Sequence, residues 1–407
     1  MPRLSICQFG RIATNLQINL HMSEKCCNFA AESISTTRPT NYMKHTSLLL
    51  LILATLCAGT AMANDSEYFV IGNQLTPMRQ TSIRVTKEVL SIDLRDDNSA
   101  YIDVYYEFTN PESSPKTITM GFEADPPYFC DDNKRTTFEH PYIRNFTVEI
   151  NGRRIAHKNA ISKEGEFRPE RKPRKLCIYD EENTDDSAAG LIYVYYFDAT
   201  FQPGVNKVHH TYHYEMGNST TYLYFLDYKL TPAARWANGQ IDDFTLNVSA
   251  KQTAKHFFIP VNCLPGMKPV VKSGTGKTRQ ERHDMSEDGL EWEVALRKGA
   301  IQFHAKNFRP KEELALHSGL LCGGLAATYD RSKFMGDCGW VEHDEQSLRI
   351  MRNLPYASRG HVFTDPQLKA FFESCWWYMP DPKYKDDTSD FTVFDWHYIN
   401  FKPKADE

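Results

Sequence analysis

The sequence predicts a mainly β protein: an antiparallel, sandwich-type ectodomain followed by a small C-terminal helical domain. Three observations carry this prediction. Aromatic residues make up 13% of the 407-residue chain, with 21 Tyr and 24 Phe, a composition rich in strand formers. Apolar and polar side chains alternate with period two at several places between residues 83 and 249. From Asp344 onward the period becomes helical. The overall balance, 41% hydrophobic and 24% charged, is that of a globular protein. The formal net charge is −5, so binding to nucleic acid has no electrostatic support.

The strands can be justified in order. Residues 83–109 alternate: Ile102, Val104, Tyr106 and Phe108 face one way, and Tyr101, Asp103, Tyr105 and Glu107 the other. Asn110-Pro111 ends the run, because proline has no N–H to donate to a ladder. Lys116 to Phe122 is a second strand, and Phe146 to Ile150 leads into the turn Asn151-Gly152. Ile192 to Phe201 and Lys207 to Glu215 are joined by Gln202-Pro203-Gly204-Val205-Asn206, which reads as a hairpin connection. Tyr222 to Leu230 and Phe244 to Ser249 continue the pattern. Residues 157–190 break it. A basic block (Arg168 to Lys175) and an acidic block (Asp180 to Asp186) read as a solvated loop, and the acidic block lacks the alternating carboxylates and glycine of a calcium loop.

The C-terminal region changes character. Leu348, Met351 and Leu354 or Pro355 mark a helix that Gly360 stops. Thr364-Asp365-Pro366 is a helix start, with a capping residue ahead of a first-turn proline. Leu368, Phe371 and Phe372 form its apolar face. The segment Leu321 to Asp337 is the seam between the two regions.

Met43 to Ala63 reads as a secretory signal peptide. Lys44 supplies the positive start, Leu48 to Leu56 the apolar stretch, and Ala61-Met62-Ala63 the small residues ahead of cleavage before Asn64. Leu56 before Cys57 is too large for a lipid-modification signal. Residues 1–42 then read as a mis-assigned start, with Met43 the true initiator. Six of the ten cysteines follow the cleavage point: Cys130, Cys177, Cys263, Cys322, Cys338 and Cys375. An even number in an oxidising compartment favours disulfides. Cys130 with Cys177, which flank one polar excursion, is the favoured pair, and Cys338 with Cys375 the second choice. No run of eighteen apolar residues predicts a membrane span after cleavage.

Several motifs come close to known chemistry. Ser273 to Thr278 contains Gly-Thr-Gly-Lys-Thr, but a phosphate loop needs glycine where Val271 stands, so a flexible turn is the reading. His209 and His213 share a strand face at about 13 Å, too far for one zinc ion, and His210 points the other way. Asp242-Asp243 point to opposite faces of a strand and cannot flank one glycosidic bond, so they read as turn and edge residues. No catalytic residue, metal or cofactor is assigned. Trp376, Trp377 and Tyr378 are the candidates for contact chemistry, because flat aromatics stack on sugars and peptides. The alternative is that at least one Trp builds the small domain's own core. Tyr356 and Arg359 are their polar neighbours, and Arg359 is placed to bond a helix end or a carboxylate.

Residues 348–380 resemble the YARHG domain of secreted and surface bacterial proteins. The features that carry the resemblance are Leu348, Arg352-Asn353, Tyr356-Ala357, Gly360, Phe363, Leu368, Phe372 and Trp377-Tyr378. The name motif departs from the family at Tyr356-Ala357-Ser358-Arg359-Gly360, where the arginine is shifted and the histidine absent. The resemblance implies a small helical fold in an extracytoplasmic setting. Residues 64–125 are similar to a second family, secreted bacterial proteins of unknown function. This likeness rests on Asn64-Asp65, Ile83, Glu88, Leu90, Ile92, Tyr106, Phe108, Asn110 and Phe122, and it implies a β-rich ectodomain.

The expected organisation is a leader to residue 63, a β-rich ectodomain over 64–322 in one or two sandwich subdomains, a YARHG-like domain over 340–382, and a tail over 383–407. The expected role is binding within the bacterial cell envelope, in the periplasm or outside the cell. The expected partners are an envelope glycan, peptidoglycan or an envelope protein. Two alternatives stand beside it: an envelope hydrolase with a dispersed Asp/Glu/His site, and a structural scaffold of an envelope complex.

Overall fold

A computed structural model describes residues 66–68, 71–73, 75–77, 81–95, 98–124, 139–163, 191–219, 224–251, 255–282, 289–318 and 345–400. All lie in one compact unit, Asn64–Glu407. The segment read as a leader, the charged blocks of the 164–190 excursion and Cys130, Cys177, Cys322 and Cys338 lie outside the described residues.

The strands are β1 (Ser66–Tyr68), β2 (Ile71–Asn73), β3 (Leu75–Pro77), β4 (Arg84–Leu94), β5 (Ser99–Asn110), β6 (Lys116–Ala124), β7 (Ile143–Ile150), β8 (Arg153–Arg154), β9 (Lys158–Lys163), β10 (Leu191–Phe201), β11 (Gly204–Glu215), β12 (Asn218–Ser219), β13 (Phe225–Lys229), β14 (Ile241–Ala250), β15 (His256–Pro260), β16 (Val270–Arg282), β17 (Leu290–Phe308) and β18 (Leu314–Ser318). The helices are α1 (Glu345–Arg359), α2 (Pro366–Ser374) and α3 (Val393–Asn400). The predicted fold class is therefore observed.

A large sheet runs β2-β13-β18-β15-β17-β14-β4-β5-β11-β7-β8, with β16 added on β17. A four-stranded sheet runs β3-β6-β10-β9. All pairs are antiparallel except β13 with β2 and β14 with β4. The two sheets pack through the aromatic residues that the period-two pattern turns inward. Phe122 of β6 meets Phe146 and Tyr212 of the large sheet at 5.1 and 5.0 Å between ring centres. Phe201 of β10 meets Phe108 of β5 at 5.5 Å. Burying each such ring contributes about 1.5–3 kcal/mol. The four residues assigned inward on β5 are all buried, and their outward partners stay half-exposed.

Two local readings are corrected. Residues 202–206 do not close a two-stranded hairpin: β10 pairs with β6 and β9, whereas β11 pairs with β5 and β7. The turn carries the chain from one layer to the other. It is braced by Asn206, which accepts from Gln202 N (2.8 Å) and donates to its carbonyl (2.8 Å). The polar excursion also begins later than its charges suggest, because β9 pairs with β10 and buries Ala160 and Ile161. Asn151-Gly152 does turn β7 into β8, with both residues at positive φ (51° and 78°).

The C-terminal module follows its sequence signals. Asp365 caps α2 by accepting from the N–H groups of Gln367 and Leu368 at 3.1 and 3.0 Å. Gly360, at φ +97°, ends α1. Its N–H bonds Ala357 O and the N–H of His361 bonds Tyr356 O, both at 3.0 Å, the two bonds of a Schellman cap. Pro355 is accommodated within α1.

Candidate binding site at the module seam

On β17, Trp292, Val294 and Leu296 enter the main core, so Glu291, Glu293, Ala295 and Arg297 occupy the opposite face. Cross-strand partners share a face. The register Lys277↔Ala295, Arg279↔Glu293 and Glu281↔Glu291 therefore adds three charged side chains from β16. His256 and Phe258 of β15 stand opposite Ala295 and Glu293, and His317 of β18 stands opposite Phe258. The result is an ionic strip across four neighbouring strands.

The C-terminal module sits on one end of this strip. Ala295 belongs to the module's apolar cluster, with Ile350, Leu354, Phe363 and Phe372. Lys277 Nζ donates to the carbonyl oxygens of Trp376 and Tyr378, each at 2.9 Å. The Arg279 guanidinium lies 4.6 Å from the Trp376 ring centre. Arg297 pairs with Asp381 and also bonds Thr275 Oγ1 at 3.2 Å. The hydrogen bond from Arg297 holds the Asp381 carboxyl below the usual carboxylate range.

Beneath the module, His256 bonds Glu293 at 2.8 Å, and Arg279 reaches the same carboxylate. Burial alone would raise the pKa of Glu293. The bonds and charges of His256 and Arg279 outweigh it and hold the group ionised to lower pH. His317 bonds Glu291 at 3.0 Å. The Phe258 ring separates the two histidines, 5.2 Å from His256 and 5.4 Å from His317.

The five side chains singled out by the sequence divide sharply. Trp377 and Tyr378 are buried in the module's core, and Tyr378 Oη donates to His361 O. Arg359 is also buried. It bonds Asp390 (2.7 Å), Asp395 (2.7 Å) and the helix-end carbonyl of Pro355 (2.9 Å), the two kinds of partner the sequence anticipated. Its guanidinium also lies 4.2 Å from the Phe391 ring centre. Asp390 and Asp395 come from the segment read as a tail, where α3 packs against α1. Trp376 and Tyr356 keep part of their surface exposed.

The sequence reading missed Lys277, Arg279, Arg297 and Asp381. Lys277 drew notice only through the failed phosphate-loop pattern. Contrary to the flexible turn expected there, that segment lies within strand β16. The alternation Lys277, Arg279, Glu281 against Glu291, Glu293, Ala295 was the available signal. Asp242 and Asp243 lie at the start of β14, ahead of Phe244, where its pairing with β4 begins. Asp243 pairs with His304 (2.8 Å) and Lys306 (2.7 Å). His209 is half-exposed beside Asp103 at 3.1 Å, whereas His210 is fully buried, in line with their opposite faces. Among the described residues no group of three or more His, Cys, Asp or Glu could hold a metal ion. No helix among them is long and apolar enough to cross a membrane. Cys375 is buried and Cys338 lies outside the described residues, so neither suggested disulfide is described.

Residues 333–397 match the YARHG domain, and residues 63–165 match a domain of unknown function, DUF4424. No curated protein matches the chain. Among solved structures, one similar chain is a "putative nutrient binding protein" from Legionella pneumophila, 18% identical, with a TM-score of 0.45, covering 83% of this chain and 99% of that one. An M1 zinc metallopeptidase from Deinococcus radiodurans is 10% identical, with a TM-score of 0.24, over 60% of this chain and 43% of that one.

Proposed function

We propose that this chain is an exported bacterial envelope protein that works by binding, with its YARHG module and β region acting as one docked unit on an envelope glycan such as peptidoglycan. The leader-like segment Met43 to Ala63 and the YARHG match support export. One observation carries the binding reading: the half-exposed Trp376 ring is braced by Arg279 at 4.6 Å, with its own carbonyl held by Lys277. A flat aromatic surface fixed in advance loses little freedom on stacking against a sugar ring. Nearby cations give the acidic groups of a glycan something to bond.

The test is retention of the full chain on insoluble peptidoglycan, comparing wild type with Trp376→Ala. The expected result is retention of wild type and roughly a tenfold loss in the variant, the scale of one aromatic hot spot. Equal retention of both proteins, or none of wild type, overturns the reading. Trp377 is unsuited to this experiment, because its side chain is core.

A further inference from the structure

Among the described residues, β16 hydrogen-bonds to β17 alone. No other strand among the described residues pairs with the outer edge of this 13-residue strand, which is exposed over Val270–Gly274 and at Lys277, Gln280 and Arg282. Most of its residues are exposed, and two of them are apolar: Val270 (55%) and Val271 (39%). Such an edge is a template for an added strand. Its ladder with β17 shifts register between Val271 and Ser273 and between Thr275 and Gly276. Gly274 and Gly299 bring the two backbones so close that a Cβ on either would lie 2.1 or 2.0 Å from a carbonyl oxygen of the facing strand.

The charges around the edge select its occupant. Lys272 and Arg282 on β16, with Lys268 before it and Lys298 on β17, all reach solvent. Lys298 acts on the Asp381 carboxylate, whereas Lys268, Lys272 and Arg282 form no ion pair among the described residues, in a chain whose net charge is −5. The carboxylate on β16, Glu281, faces Arg279 at 3.5 Å. A second copy fits poorly. Two β16 strands laid edge to edge would bring their lysines and arginines together, and like charges across a ladder destabilise it. We infer that the outer edge of β16 takes an extended acidic peptide as an additional strand, its main chain completing the ladder and its carboxylates meeting Lys272 and Arg282. This does not depend on the glycan reading at Trp376.

The experiment uses the purified full chain and three labelled peptides of about a dozen residues, long enough to span the edge. One alternates Glu and Val. The second replaces each Glu with Lys. The third keeps the Glu content but is interrupted by prolines, which cannot complete a ladder. Fluorescence anisotropy should show binding of the first peptide only, and slowed amide exchange along Val270–Arg282 in its presence. The substitutions Lys272→Glu and Arg282→Glu together should weaken binding by about tenfold at low salt, as expected when a charged rim is reversed. Failure of the first peptide to bind, equal binding of the proline peptide or the Lys peptide, or unchanged exchange along β16 overturns the inference.

Discussion

Arg297 on β17 pairs with Asp381 of the C-terminal module, and Gly360 is pressed against both. The end of α1, the loop after α2 and the long hairpin therefore meet at one point. A Cβ at position 360 would lie 3.0 Å from Asp381 Cβ, 3.0 Å from Met379 O and 3.1 Å from Arg297 Cδ, on a backbone at φ +97°.

Gly360→Ala should therefore cost more than backbone strain alone. Strain at such a φ is of order 1–3 kcal/mol. Gly152 has a similar φ of +78°, but a methyl group there would meet nothing within 4 Å. Thermal denaturation of the two alanine variants checks this. The Gly360 variant should melt lower, and equal melting temperatures would mean that the seam yields to the methyl group without loss.

Arg297→Ala should loosen the module without unfolding the β region. It leaves Asp381 without its arginine and removes the tie between β17 and the loop after α2. Amide exchange should accelerate in residues 345–390 and stay unchanged in β5 and β11. Reversing the pair, Arg297→Asp with Asp381→Arg, should restore part of the protection; no recovery would argue that the pair contributes only through local geometry.

The β layers and the module's caps were legible because they follow from local chemistry. Alternation placed Tyr106 and Phe108 inside, and Asp365-Pro366 and Gly360 marked where helices begin and end. The seam was not legible in the same way. Lys277, Arg297 and Asp381 act through partners far away in the chain and on another element, and no local period records that. The 202–206 turn shows the same limit. Its residues specify a tight reversal, but whether the flanking strands pair is decided by β6 and β5, which offer each strand a different neighbour. The sequence offers Arg359 a helix end or a carboxylate without saying which, and it leaves Trp377 open between contact and core. Asp390 and Asp395 neutralise the one, and Phe372 packs against the other at 6.1 Å.

Arg359→Met should destabilise the module by roughly 1.5–3 kcal/mol, the scale of a lost hydrogen bond to a charged group that stays partly solvated. Asp390 and Asp395 would both lose their cation, and α3 would lose its tie to the end of α1. Scanning calorimetry should show a separate, earlier transition for the module. A single transition at the wild-type temperature would show that Asp390 and Asp395 find equivalent solvation without the arginine.

Two groups in the β region should impose opposite pH dependences on stability. Burial drives the His210 imidazole down to about 3, so between that value and its ordinary 6.5 the unfolded chain binds a proton that the folded protein does not. Stability then rises with pH by up to about 1.4 kcal/mol per unit. Burial raises Asp227 to about 7 from 3.8, so across that window the folded protein keeps a proton that the unfolded chain releases, and stability falls as pH rises. The two slopes oppose each other between roughly pH 4 and 6.5. Relative to wild type, His210→Leu should make the slope of stability against pH more negative in this range, and Asp227→Asn more positive. Denaturant titrations at several pH values check both; parallel profiles for the two variants would refute the assignment of either group.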